Sequence, residues 1–493
     1  MICANCKALR SVANELCAKY FSTTFKVGLS SLPSAITSRT IEDVTGPKGL
    51  PVIGTTLSLL MAGSTPKLHY YIDKRHQQYG PIFKESVGPV PCVFISDPKA
   101  MRAVFTHEGK YPIHILPEAW TTYNVLHNVS RGIFFMDGEE WLHFRRILNP
   151  ILLKGDQSWI DESCKPAIDN LIEKIKSQSA RYPYIDMEGL LYYWSLEIIV
   201  SILLGPQNYI AAKQKLTDRI DYLSSTLRLV FETSSKLMLI STKLAAKYRI
   251  SRWKQFEKSV TSALFSVADL VELLLSDYVK NGEGLLGKLK GKMTTNELVR
   301  IVTDLILAAG DTTAYSMEWT LYLVGKNLEV QEKLRKEVLE VKGKDDLGSK
   351  IYLKNAIKES LRLYPVAPFL TRILPDQAEI CGYQMPAGTV LILSIFTAGR
   401  DPRNFQDPLH FDPDRWNKND NNSNRMRLAS IPFAIGARSC IGKKIAETQL
   451  QKTLAEILVH FRVNVLNEEA VDVKLEMVAV PSEKIKFQFS IKQ

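Results

Sequence analysis

Apolar residues recur every three or four positions through the middle of the chain. The clearest stretch opens at Thr294-Thr295-Asn296-Glu297, where a hydroxyl and a carboxylate three residues apart spell a capping box. It continues with Leu298, Ile301, Leu305, Ala308 and Ala309 on one face, and the spacing predicts a helix of more than about 30 residues. The middle of that helix reads Ala308-Ala309-Gly310-Asp311-Thr312-Thr313. Glycine and threonine cost helix stability relative to alanine and leucine, so a weak spot deep in an apolar helix marks a candidate site.

The pattern is mainly helical over about 98–339. A further helix carries Lys354, Lys358, Glu359 and Arg362 and must stop before Pro365. Strands are predicted at 93–95, 371–373, 384–385 and 390–393. The segment Gly46-Pro47-Lys48-Gly49-Leu50-Pro51 is too rich in turn formers to be helical. A long loop runs to Pro432, a last helix starts beside Cys440 and passes Leu450, and 471–491 alternates as a strand hairpin should. The polar run 417–424 reads as a surface loop. The fold class is therefore mainly α with a minor β part. No linker divides the chain after residue 46, so 46–493 is expected to form a single domain.

With 45% hydrophobic and 23% charged residues, the 493-residue chain can bury an ordinary core. A formal charge of +11 and a pI near 9.1 leave nucleic acid, an acidic membrane or an acidic protein as partners. No basic block is interleaved with aromatics, which argues against nucleic acid. Residues 1–40 carry five basic residues (Lys7, Arg10, Lys19, Lys26, Arg39) against Glu15, a net of +4. They are also rich in serine and threonine, and Leu9, Val12, Ala13, Leu16 and Tyr20 would share a face of a helix over 7–21. That combination predicts an organelle presequence and linker over 1–45, the alternative being a basic tail without a targeting role. It contains no run of 18 apolar residues that could serve as a membrane anchor. Seven irregularly spaced cysteines do not suggest a disulfide framework, and the lone pair Cys3 and Cys6 falls in the expected presequence.

The strongest chemical signal is Phe433-Ala434-Ile435-Gly436-Ala437-Arg438-Ser439-Cys440-Ile441-Gly442. A cysteine held as a metal-binding thiolate needs protection and nearby positive charge, which a glycine-containing loop and a following helix N-terminus can supply. A buried structural cysteine after a turn is the alternative for the shorter pattern Gly-x-Arg-x-Cys. The full stretch matches F-x-x-G-x-R-x-C-x-G and resembles the haem-binding loop of cytochromes P450. The resemblance implies that fold, with its long central helix over haem b, Cys440 as the axial ligand of iron, Arg438 on a propionate and Phe433 shielding the sulfur.

Other family marks follow in order. Glu359 and Arg362 resemble the E-x-x-R pair, which implies a partner arginine at Arg415 in Phe411-Asp412-Pro413-Asp414-Arg415-Trp416; Asp414 stands where Glu is commoner. Trp141-x-x-x-Arg145 is similar to the propionate-binding helix, and Arg372 occupies the position of a third propionate arginine. Residues 308–313 resemble the oxygen-activating stretch, with Ala309 in place of a glycine, and imply that Asp311 and Thr312 relay protons. Helix back-bonding by Thr312 is the structural alternative.

Lys354 and Lys358, with Lys443 and Lys444, match the basic positions with which mitochondrial members bind an acidic adrenodoxin-type [2Fe–2S] ferredoxin. Lys443 and Lys444 replace the usual arginines. The apolar and basic stretch 236–249 implies a peripheral contact with the matrix side of the inner membrane, or else a packed amphipathic segment. Walls at 114–128, 304–312, 366–370 and 478–480 are mostly apolar and suit a lipophilic steroid. The chain is most similar to arthropod mitochondrial P450s of moulting-hormone synthesis, and within them to ecdysteroid C2-hydroxylases, chiefly through residues 308–314. C22- or C20-hydroxylation, or detoxification, fits the same physics. A non-oxidative haem-thiolate isomerase or a silent haem sensor would have no need of Asp311 and Thr312, and a microsomal enzyme would carry an apolar anchor.

Overall fold

The computed structural model describes residues 39–88, 90–277, 283–340, 351–417 and 423–491. The expected presequence helix, the Cys3 and Cys6 pair and most of the polar run 417–424 lie outside them. Long helices dominate the unit from Thr40 onward. They are α1 (Gly138–Leu152), α2 (Ser158–Ser179), α3 (Glu188–Leu204), α4 (Pro206–Ser235), α5 (Ser251–Asp277), α6 (Thr295–Lys326), α7 (Ile351–Leu363) and α8 (Lys443–His460).

Helix α6 runs for 32 residues. The capping box closes as the sequence predicts: Thr294 Oγ1 accepts from the Glu297 amide at 3.3 Å, and Glu297 Oε2 accepts from the Thr294 amide at 2.8 Å. Helix α3 is buried without interruption from Leu191 to Leu204. A helix apolar on every side must be covered on every side, and α2, α4 and α6 all pack against it. The α3–α6 crossing therefore lies at the centre of the core. Among the described residues, Ser251–Ser276 of α5 is the one segment long and apolar enough to cross a bilayer. Its Trp253, Phe256, Val260, Val267 and Leu274 are buried at helical spacing, which makes that face a core face, packed on α4.

A four-stranded sheet stands apart from the bundle, built from β1 (Ile82–Ser86), β2 (Pro91–Ile95), β3 (Phe369–Ile373) and β4 (Val390–Ser394) in the order β1-β2-β4-β3. Only β2 and β4 are parallel. Tyr383–Met385 forms a strand too, so each of the central strand predictions is met. The C-terminal prediction is corrected in part. Val473–Glu476 and Val478–Pro481 form a hairpin about Met477, whose φ is +62°. Lys486–Ile491 instead pairs with Phe461–Val465 and Ile185–Asp186. Alternation fixes which face of a strand is apolar and leaves the partner open. Phe487 and Phe489 are buried there, with Phe489 against Phe461.

Glu359 on α7 is fully buried and anchors the loop that leads toward Cys440. Its carboxylate accepts from Arg362 Nη2 at 2.7 Å and Nε at 2.8 Å, Arg415 Nε at 2.7 Å, Trp416 Nε1 at 2.9 Å and the Asp412 amide at 3.2 Å. Both guanidinium groups also donate to backbone carbonyls, among them Gly399, Pro408 and Gln406. Asp414 lies outside this network, 3.6 Å from Lys333, so an aspartate there leaves the network intact. Removing one partner of such a cluster strands buried charge. Glu359→Ala is expected to cost roughly 3–5 kcal/mol, read as a lowered midpoint in thermal unfolding; an unchanged midpoint would contradict the role given to the carboxylate.

Candidate active site

The loop before α8 is held from both ends. The Cys440 amide donates to the Phe433 carbonyl at 2.9 Å, and the Ser439 amide to Gly436 at 3.2 Å. Gly436 has φ +84°, and a Cβ there would come within 2.2 Å of Glu108 Oε1. That approach exists because Glu108 Oε1 accepts from the Ala437 amide at 2.6 Å while Oε2 accepts from Arg372 Nε at 2.7 Å. Glu108, buried and distant in sequence, thus ties the cysteine loop to β3.

Cys440 sits just before Gly442, the N-cap of α8. Burial raises its thiol pKa, against the opposing pull of the Gly442 amide, Arg145 and Lys443. The residue as a whole is nonetheless exposed. A thiol in that setting gains its charge from a bound cation, as metal-ligating cysteines do.

Three guanidinium groups converge nearby. Arg145 on α1 donates from Nη1 to the Ser439 carbonyl at 2.9 Å, and its buried Nε has no partner among the described residues. Arg438 donates to the carbonyls of Pro112 and Met136 and to Asp137, with its guanidinium 4.6 Å above the Trp141 ring. Arg372 leaves Nη2 unpaired. Burial, with the repulsion of Arg372 and Arg145, pulls the Arg438 pKa down to about 10 despite Asp137 and Glu108. His114 is half-buried, its two ring nitrogens are enclosed without a partner among the described residues, and burial, then Arg438 and Arg372, press its pKa down to about 3. Two carboxylates against three buried cations, with unpaired donors left over, fit a ligand that brings its own carboxylates.

On α6, Ala308 and Thr312 are exposed while most of the helix around them is buried. The Thr312 hydroxyl donates back to the Ala308 carbonyl at 2.8 Å, the geometry weighed above as the structural alternative, and its oxygen can still accept. Asp311 faces the other way, into the core. Tyr192 on α3 donates to its Oδ1, Oδ2 has no partner, and burial raises its pKa to about 8 despite that hydrogen bond. Asp311 is therefore protonated at neutral pH.

The family model for cytochrome P450 matches residues 44–489. The chain belongs to the cytochrome P450 family. This P450 is a monooxygenase of the kind whose haem iron is ligated by cysteine. It is 38% identical to "Cytochrome P450 315a1, mitochondrial" of Drosophila melanogaster, over 93% of this chain and 90% of that one. Rat 1,25-dihydroxyvitamin D(3) 24-hydroxylase, mitochondrial, is 27% identical over 92% of this chain and 90% of its own. Horse cholesterol side-chain cleavage enzyme, mitochondrial, is 28% identical over 86% and 84%. Its relatives thus include mitochondrial steroid hydroxylases. The structure of a retinoic acid-bound cyanobacterial CYP120A1 superimposes with a TM-score of 0.74 over 91% of this chain and all of its own, at 20% identity, which shows the shared fold.

Within the P450 fold the basic residues read from the sequence are unequal. Lys358 is half-buried, 3.7 Å above the Trp416 ring, and burial, then Arg427, lower its pKa to about 8 although Glu359 opposes this. Lys443 also acts on it from the start of α8, so α7, Arg427 and α8 share one positive field. Lys443 and Lys444 each lie 3.8 Å from Glu447. Sequence reasoning missed Glu108, Tyr192 and the buried ion pair of Arg131 with Asp304 at 2.9 Å. Single residues far apart in the chain leave no spacing signal, and each gained its partner only through folding.

The raised pKa of Asp311 has a thermodynamic consequence. Between its ordinary value of 3.8 and about 8, the native state holds a proton that the unfolded state releases. That contribution to stability declines as pH rises, by at most about 1.4 kcal/mol per pH unit. Asp311→Asn cannot titrate, so the wild-type protein should lose stability relative to this variant as pH rises through that window in urea unfolding. Parallel pH profiles would show that the carboxyl is ionised throughout.

Proposed function

We propose that this P450 hydroxylates a lipophilic steroid in the mitochondrion, taking electrons from an adrenodoxin-type [2Fe–2S] ferredoxin, and that the reaction is C2-hydroxylation of an ecdysteroid. The observation that carries the monooxygenase chemistry is the pairing of a loop thiol at a helix N-terminus with an acid and an alcohol on the long helix. In this reading Cys440 would ligate the iron of haem b, Arg145, Arg372 and Arg438 would hold its propionates, Trp141 would pack beside them and Phe433 would cover the sulfur. Bound there, haem supplies the activation of dioxygen, which a thiolate ligand favours by electron donation. Asp311 holds a proton at neutral pH, and Thr312, whose hydroxyl lies on the open face of α6, passes protons onward after turning from the Ala308 carbonyl.

Steroid chemistry is supported by the relatives named for cholesterol and for a vitamin D compound, and by walls built from Val366, Leu370 and 478–480. The Ala479 carbonyl accepts from Trp319 on α6 and its amide donates to the Val366 carbonyl, which joins two of those walls to each other and to α6. The narrower choice of an ecdysteroid rests on residues 308–314 and on an insect mitochondrial relative at 38% identity. Lys354, Lys358, Lys443 and Lys444, reinforced by Arg427, suit an acidic ferredoxin that is steered electrostatically. The exposed apolar residues Leu57, Leu60, Met61, Leu244 and Tyr248 suit a peripheral contact with the matrix side of the inner membrane. We assign residues 1–45 to the presequence and linker and 46–493 to one catalytic domain, as the extent of the family match supports.

The test is turnover of 2-deoxyecdysone by the purified protein with an adrenodoxin-type ferredoxin, its reductase and NADPH. A product carrying a hydroxyl at C2 is expected. Product formed from another sterol alone would reject the ecdysteroid, and product with a microsomal flavoprotein donor but none with ferredoxin would reject the partner.

A further inference from the structure

Two carboxylates and two tyrosines interlock where α3 crosses α6. Glu188 and Tyr192 lie four apart on α3, and Asp311 and Tyr315 lie four apart on α6, so each pair shares a helix face. Each phenol donates to the carboxylate of the opposite helix: Tyr192 to Asp311 Oδ1, and Tyr315 to Glu188 Oε1 at 2.8 Å. The two rings meet edge to face at 5.6 Å, with each hydroxyl turned to its own carboxylate, and each phenol acts on the other's pKa. Both phenols and Asp311 are buried, whereas Glu188 keeps 16% of its side chain accessible and pairs at 2.9 Å with Arg228, itself half exposed. Polar groups therefore run from the surface to Asp311 through a core that is otherwise apolar.

We propose that Glu188, Tyr315 and Tyr192 form the conduit that re-protonates Asp311 from solvent. It rests on the reading of Asp311 as a proton donor given above. In the structure both hydroxyls point outward from the centre of the chain, each toward a carboxylate. One rotation of the Tyr315 hydroxyl toward Tyr192 joins the halves. Glu188, protonated from water, then gives its proton to the Tyr315 oxygen; the Tyr315 proton passes to the Tyr192 oxygen, and the Tyr192 proton to Asp311. Each O–H bond broken is matched by one formed, and one proton moves inward. Burial favours this traffic as neutral groups: it is the largest cause raising both phenol pKa values and keeps Asp311 protonated up to about 8. Asp186 and Glu476 add negative charge nearby, burial pushes the Glu318 carboxyl well above the usual carboxylate range and so toward its neutral form, and Arg228 and Lys484 stand at the outer end.

The experiment is infrared spectroscopy of the resting, haem-loaded protein without substrate, at a pH well below 8. The protonated Asp311 carboxyl is the carbonyl band lost in Asp311→Asn. On transfer into D2O that band shifts as the proton exchanges, and the rate of the shift reports how freely protons reach the site. Tyr192→Phe and Tyr315→Phe should each slow the exchange by about 100-fold, the scale of a positioned proton-transfer group, with unchanged melting midpoints. Exchange at the original rate in both variants would overturn the conduit. So would slowing in Tyr192→Phe alone, because Tyr315 does not touch Asp311 and matters only if protons pass through it. Should a variant lose its fold, Glu188→Gln takes its place with the same expected slowing. The underlying reading of Asp311 fails separately, if Asp311→Asn leaves product formation fully coupled to NADPH consumption.

Discussion

Buried guanidinium groups have to be met by negative charge, and that requirement organises the structure around Cys440. Arg145, Arg372 and Arg438 come from a helix, a strand and the cysteine loop, and among the described residues the carboxylates that pair with them are Glu108 and Asp137. Left as a group of cations they would push the three elements apart. A haem would bring two carboxylates to meet the unpaired donors and an iron to meet the thiol, so its binding would favour the ordered arrangement of this region. Glu359 does the same for the far side of the site with groups the chain itself supplies, fixing the segment before the loop through Arg362 and Arg415.

The long helix connects that ligand site to the core. Its capping box fixes where it starts, and the stretch 308–313 opens one face through Ala308 and Thr312 while the opposite face presses Gly310 and Asp311 into α3. A Cβ at Gly310 would meet Leu227 of α4 at 3.4 Å and Leu196 of α3 at 3.7 Å, ordinary contact distances, so this glycine marks local helix weakness rather than a steric need. Acid and alcohol, adjacent in sequence, thus occupy different surroundings: one dry and able to hold a proton, the other open.

Much of this was legible before the structure. The capping box at Thr294, the stop before Pro365 and the Glu359, Arg362 and Arg415 network depend on local spacing or on a motif with its own partner. What was hidden depends on contacts between distant segments. Glu108 bears no pattern, yet it joins Arg372 to the Ala437 amide. Tyr192 looks like any apolar position of an apolar helix until α6 is laid across it. The last strand alternates as a hairpin strand would, and its pairing with Phe461–Val465 follows from where two phenylalanines find cover.

Ligation of the iron by Cys440 is the assignment on which the other roles depend. The measurement is the absorption spectrum of the reduced, carbon monoxide-bound protein, compared with that of Cys440→Ser carrying the same haem. The wild-type protein should show the red-shifted Soret band of thiolate ligation and the variant should lose it. A variant that kept the wild-type band would contradict the assignment, and with it the charge balance that orders the three arginines.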